Sequence, residues 1–183
     1  MDAARGSDPR TVRLTFVDEA RFGRINRPVA CWAPRGTRPE VGSQTVREFV
    51  YAVSGVSPLD GSIDSLIMPT MQTQCFQHFV DYVGACHPDE LNVLVVDGAA
   101  SHDPRSLDMP DNVRIITLPP YSPQLNPVEQ VWDLLRERHF ANRTFGSLDE
   151  VEAALTDALL DLDDDPITLQ TLTGYDWILK PLS

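Results

Sequence analysis

Residues 91–98, LNVLVVDG, form an uninterrupted apolar run closed by an aspartate and a glycine. A strand with one wet face would alternate apolar and polar side chains, so a short unbroken run of this kind reads as a strand buried on both faces. The sheet that holds it therefore needs helices on either side and is parallel at least in part. Just before it, Phe76, Phe79, Val80 and Val83 recur at helical spacing, which predicts an amphipathic helix over 72–86 leading into that strand.

The first third of the chain reads differently. TVRLTFVDE (11–19) alternates with Val12, Leu14 and Phe16 on one face, and PVACW (28–32), REFVYAVS (47–54) and SIDSLIMP (62–69) are further strand-like runs separated by Gly, Pro and Ser. Short connections of this type predict an antiparallel meander. After the buried strand, NVRIITL (112–118) is one more strand, and helices follow over about 127–140 and 148–161, with DLDDDP (161–166) ending the second. The expected architecture is α/β, a mixed sheet of antiparallel meander plus parallel strands flanked by helices.

Acids stand at its informative points. Asp97 falls at the carboxyl end of the buried strand, where open α/β sheets place their ligands. Asp18 shares the face of Val12, Leu14 and Phe16, so a charge sits on an otherwise apolar face and needs a partner. Its neighbour Glu19 points to the other side of the strand and is expected to face solvent. The third acid lies in LPPYSPQLNPVEQVWDLL (118–135). There Asn126 suits a helix N-cap, Pro127 the first helical position, and Glu129 the third, from which a glutamate can reach back to the cap's own N–H. Val128, Val131, Trp132 and Leu135 form the apolar stripe and turn Glu129 elsewhere. Capping and metal ligation make the same demand on its position, and the sequence leaves both open.

Composition bounds the rest. With 183 residues, 42% hydrophobic and 23% charged, the chain suits one domain with its own core. No apolar run approaches a membrane span, and MDAARGSDPR lacks the apolar segment of a signal peptide, so the expected location is the cytoplasm. The three cysteines form no C-x-x-C pair and are expected as reduced, buried thiols. A net charge of −12 argues against a nucleic-acid partner, yet the acids concentrate late: residues 1–50 carry nine Arg against six acids, and residues 145–183 carry nine acids against Lys180. Arg21, Arg24, Arg27, Arg35 and Arg38 follow closely on one another, as either a solvated surface or a phosphate track. A hydrolase triad of Ser101, His102 and Asp97 is excluded, because near neighbours in sequence rarely aim at one another and no G-x-S-x-G elbow is present.

FVDEARFG, VVDGAASH and LPPYSPQLNPVEQVWDLL, in that order, resemble the three catalytic blocks of the DDE superfamily endonucleases, in particular bacterial insertion-sequence transposases related to the mariner superfamily. CWAPRGTRP (31–39) is similar to the segment between that family's first two strands, and the likeness runs from about residue 11 to 145. It implies a ribonuclease-H-like fold spanning 11–165, between an N-terminal extension (1–10) and a C-terminal tail (166–183). It also implies an acidic triad of Asp18, Asp97 and Glu129, with thirty-one residues between the last two. The triad would hold Mg²⁺ or Mn²⁺ as two ions, Asp18 bridging both, for in-line phosphoryl transfer that cuts transposon ends and joins them to target DNA. His102 matches the histidine of the second block, and Asn126, Arg21 and Arg35 are further candidates for supporting the triad or contacting DNA.

Two departures accompany the resemblance. Gly98 stands where the second block usually has Asn. The helix-turn-helix DNA-binding domains that such transposases carry upstream find about ten residues before the first strand, so an upstream domain or partner chain is expected to supply them, with a dimer on DNA. The alternatives are an inactive remnant serving as an interaction module, or a general metal-dependent nuclease of the same fold.

Overall fold

A computed structural model describes residues 8–26 and 28–180; residues 1–7 of the expected N-terminal extension, Arg27 of the arginine run, and residues 181–183 lie outside the described residues. Five strands form one sheet in the order β3-β2-β1-β4-β5. β1 (Thr11–Ile25), β2 (Thr45–Val56) and β3 (Ile63–Met68) are the antiparallel meander, with Asp18 opposite Ser54. Helix α1 (Thr73–Cys86) then crosses to β4 (Glu90–Val96), which pairs parallel with β1, and β5 (Val113–Thr117) adds parallel to β4. The mixed sheet expected from the sequence is the one observed.

Side-chain alternation divides the two layers of core. Val17, Val53, Leu94 and Val96 project to one face, where α1 covers them with Phe76, Phe79, Val80 and Val83. Gly55 on β2 lets α1 come this close, since a Cβ there would meet Thr15 at 2.7 Å and Phe79 at 3.1 Å. Phe16, Ala20, Phe22, Val50, Ala52 and Val95 project to the other face. There they meet α2 (Val128–Leu135), which runs into a π-helical turn at Arg136–Phe140, and α3 (Leu148–Asp163). Each such Val, Leu or Phe side chain contributes about 1.5–3 kcal/mol by leaving water. Both helices have sequence-encoded starts: the Asn126 side chain accepts from the Val128 N–H at 3.2 Å, and Ser147 accepts from Glu150 N–H at 3.2 Å.

Several expectations are corrected. Residues 28–32 form no strand; β1 itself runs on to Ile25, and the connection to β2 is exposed, with Val29 at 49% and Trp32 at 103% accessibility. Pro28 cannot donate to a ladder, which disfavours a strand at this point. The segment expected as a C-terminal tail carries α4 (Pro166–Thr173) and α5 (Asp176–Leu179). Their Leu169 and Ile178 are buried in the α2–α3 core, and Trp177 meets Phe16 edge-on at 6.0 Å. Cys31 and Cys86 are exposed, not buried, because one lies in the open connection and the other ends α1. Among the described residues no helix is long and apolar enough to cross a membrane.

Candidate active site

β1 pairs with β4 only as far as Phe16 opposite Val95, yet continues for nine residues beside β2. Asp18 therefore lies just past the carboxyl end of the parallel pair, two residues beyond the last β1–β4 partner. Asp97 immediately follows β4. The chain then leaves β5 through Leu118–Pro123, and Asn126 turns it into α2 with Glu129 in the first turn. These segments enclose an open cleft of about 470 Å³ lined by Asp18, Asp97, Asn126 and Glu129 together with the proline-rich turn. Four of the seven candidate site residues thus share one cleft, at the position where open α/β sheets hold ligands.

Asn126 is buried and works in two directions. Its Oδ1 caps α2, and its Nδ2 donates to the Val17 carbonyl at 3.0 Å, fixing the helix start beside Asp18. Glu129 does not complete a capping box: the Asn126 N–H donates to the Pro123 carbonyl, and the Glu129 side chain is exposed with no hydrogen-bond partner among the described residues. Its influence is electrostatic. Burial first, then the charges of Glu129 and Glu19, push the Asp18 carboxyl up from an ordinary 3.8 to about 7, against the Trp132 indole N–H that donates to Asp18 Oδ2 at 2.9 Å. Trp132 had been legible only as a core residue; nothing in the helical stripe distinguishes an indole whose nitrogen serves the neighbouring strand.

On the other face of the sheet Glu19 departs from expectation. Alternation does turn it away from Asp18, but that face is covered by α1 and by the short turn at Ala100–His102, so Glu19 is largely covered by protein, its side chain 15% exposed. His102 is 1% exposed, its ring 4.2 Å from that of Phe76, and its Nε2 lies 2.5 Å from Glu19 Oε1. Its Nδ1 is 2.7 Å from Asp97 Oδ1 without the alignment of a hydrogen bond. Burial opposes charge on this ring, but the Glu19 hydrogen bond and the Glu19 and Asp97 charges outweigh it and raise the His102 pKa. Asp97 Oδ1 also accepts from the Ala99 N–H at 3.0 Å. His102 therefore sits behind Asp97, linking it to Glu19.

The remaining candidates are not in the cleft lining. Arg21 is exposed on β1 with its guanidinium 4.3 Å from the Phe49 ring centroid, and Arg35 is exposed in the 28–44 connection. Arg24 is committed to structure, donating to the Phe145 carbonyl at 2.9 Å and pairing with Glu48 at 2.7 Å. Arg24 is thus already engaged within the fold. Among the described residues the cleft lining contains neither Lys nor Arg, and its donors are carboxylate oxygens that repel one another, the chemistry of a site for a hard divalent cation. Among the described residues no three such side chains are already gathered about one point.

Residues 13–152 match the family model of the DDE superfamily endonucleases. An uncharacterized protein of Sinorhizobium fredii (strain NBRC 101917 / NGR234), y4pE/y4sA, is 32% identical over 130 residues, covering 70% of this chain and 96% of that protein. Among solved structures, the Mos1 mariner paired end complex with Mn superimposes with a TM-score of 0.62 at 15% identity, over 88% of this chain and 54% of that one. The Mos1 strand transfer complex does so with 0.58 at 14%, over 89% and 55%. The chain spans about half the length of these Mos1 chains, and the likeness shows a shared ribonuclease-H-like fold.

Proposed function

The chain belongs to the DDE superfamily endonucleases, and from that premise we propose that it is the catalytic domain of a transposase, cutting DNA strands at transposon ends and transferring them to target DNA. One observation carries the reading: carboxylates from β1, from the end of β4 and from the first turn of α2 line a single cleft with no basic residue among the described ones that line it. Asp18, Asp97 and Glu129 would hold Mg²⁺ or Mn²⁺, since all three donors are hard carboxylate oxygens. A pair of such cations held there would supply positive charge to the attacking and leaving oxygens of an in-line displacement at phosphorus.

The chain's own residues do the positioning. Trp132 orients the Asp18 carboxylate through Oδ2, and Asn126 holds α2 against β1 so that Glu129 projects from a fixed first turn. The N-terminal end of α2 also favours a negative Glu129. His102, backed by Glu19, sets the side of the cleft on which Asp97 stands. DNA is the expected partner, with sequence-specific end recognition supplied by a helix-turn-helix domain or partner chain and with two copies assembled on paired ends.

A second reading has its own observation: Asp97 is turned toward Ala99 and His102 and the three carboxylates are not gathered, as an inactive remnant would allow. Calorimetric titration of Mn²⁺ into wild type and Asp97→Ala separates the two. Binding that is lost in the variant, together with Mn²⁺-dependent nicking of supercoiled DNA, supports the transposase reading. Nicking that persists in Asp97→Ala removes this cleft from the chemistry. A general nuclease of the same fold would nick without joining ends, so strand transfer is scored in the same reaction.

A further inference from the structure

The rim of the cleft holds a side chain that no role above uses. Tyr121 lines the cleft, is 100% exposed, and adopts φ +58°, a left-handed conformation that a bulky non-glycine residue seldom takes. Backbone conformations of this kind persist where the surroundings impose them, and they cluster at binding and catalytic sites. Here the surroundings are Pro119, Pro120 and Pro123, whose fixed φ values leave the turn little freedom to tuck the ring away. An aromatic ring normally gains by burying its faces, and no ring or cation contact covers Tyr121 among the described residues. Trp32 is equally exposed but belongs to the 28–44 connection and does not line the cleft.

We propose that Tyr121 is a stacking platform for an unpaired nucleobase of the strand processed in the cleft, a subsite that rests on the DNA-cleaving reading above. A ring presented on a stiff turn loses little freedom on binding, and base–aromatic stacking accepts any base because every base offers a π-face. The phosphodiester beside that base would then lie over the carboxylates lining the same cleft. Stacking makes the ring a fixed point from which the strand is measured, and it favours frayed or single-stranded DNA over an intact duplex.

The test compares a fluorescent twelve-nucleotide oligo-dT with an abasic twelve-mer of equal charge, bound to the full chain with Ca²⁺ as the cation and followed by anisotropy. Wild type is expected to prefer oligo-dT by roughly 5- to 150-fold; Tyr121→Ala is expected to bind the two alike, and Tyr121→Phe to keep the preference. Equal binding of both by wild type, or a preference that survives in Tyr121→Ala, overturns the stacking subsite and leaves the DNA reading standing. An equal weakening of both ligands in Tyr121→Ala makes the ring a shaping element of the turn and overturns it as well. Binding of neither ligand by wild type overturns the DNA reading and the subsite with it.

Discussion

Asp18→Asn is the most informative single change, because two effects of opposite sign meet at one atom pair. In the metal-free protein the Asp18 carboxyl is raised from 3.8 to about 7 by burial and by the charges of Glu129 and Glu19. The folded chain therefore holds that proton more tightly than the unfolded one, and stability falls as pH rises from about 4 to about 7, then levels off. At about 1.4 kcal/mol for each tenfold change in proton affinity, the full loss is at most about 4 kcal/mol. Asparagine removes the charge, and its side-chain oxygen can still accept from the Trp132 indole N–H at the 2.9 Å position. In EDTA, Asp18→Asn should match wild type near pH 4 and exceed it by up to about 4 kcal/mol at pH 8, roughly 8–16 °C in Tm for a chain of this size. Saturating Mn²⁺ should then raise the wild-type Tm and leave the variant unmoved. Urea or thermal denaturation at pH 4, 6 and 8 reads the gap directly. A gap that does not grow with pH, or a variant less stable than wild type at pH 8, would refute the account of Asp18 as a carboxylate strained by its neighbours.

Three further outcomes follow from the same geometry. Glu129→Gln should abolish Mn²⁺-dependent nicking while costing no more than about 0.5 kcal/mol of stability, since the side chain is exposed and caps nothing and its removal relieves the repulsion on Asp18; a loss of about 2 kcal/mol in urea would restore it to a structural role. His102→Ala should cost about 3–5 kcal/mol, because it removes a fully buried ring and strands the partly buried Glu19 charge; the double variant with Glu19→Gln should recover part of that loss, and no recovery would separate the two residues. Gly98→Asn should be tolerated, with a gain of about 0.4–1 kcal/mol from a stiffer unfolded chain, because a Cβ at Gly98 meets nothing within 4 Å and its φ is not left-handed; a lower denaturation midpoint would show that the glycine is required.

Much of this arrangement was legible in residue order. The unbroken run before Asp97 predicted a strand covered on both sides, and the structure covers β4 with α1 on one face and the α2–α3 layer on the other. Asn126 could be recognised as the start of α2 from its place before Pro127. Glu19 could not be placed, because alternation tells which face a side chain takes and not what covers that face. His102 was readable as a candidate but not as a buried one, since its partner Glu19 is 83 positions away. The continuation of β1 past Glu19 was hidden by Arg21, Gly23 and Arg24, which interrupt the apolar pattern although Arg21 and Gly23 pair with Tyr51 and Phe49 of β2 and Ile25 resumes the pairing after a register shift. The core residues of α4 and α5 were hidden by the acidic run before them, which signals a helix end and says nothing of whether the chain returns to the core.

That return sets the order in which the molecule can be completed during synthesis. Every carboxylate of the cleft has been translated by Glu129, while Leu169, Trp177 and Ile178, which close the core beneath Phe16, emerge only afterwards. A nascent chain stopped at the acidic run would carry the whole set of site acids beneath α2 and α3 but without Leu169 and Ile178 in their shared core. A nonsense or frameshift change near Asp165 would then remove Leu169 and Ile178 from the core while leaving every site acid in place.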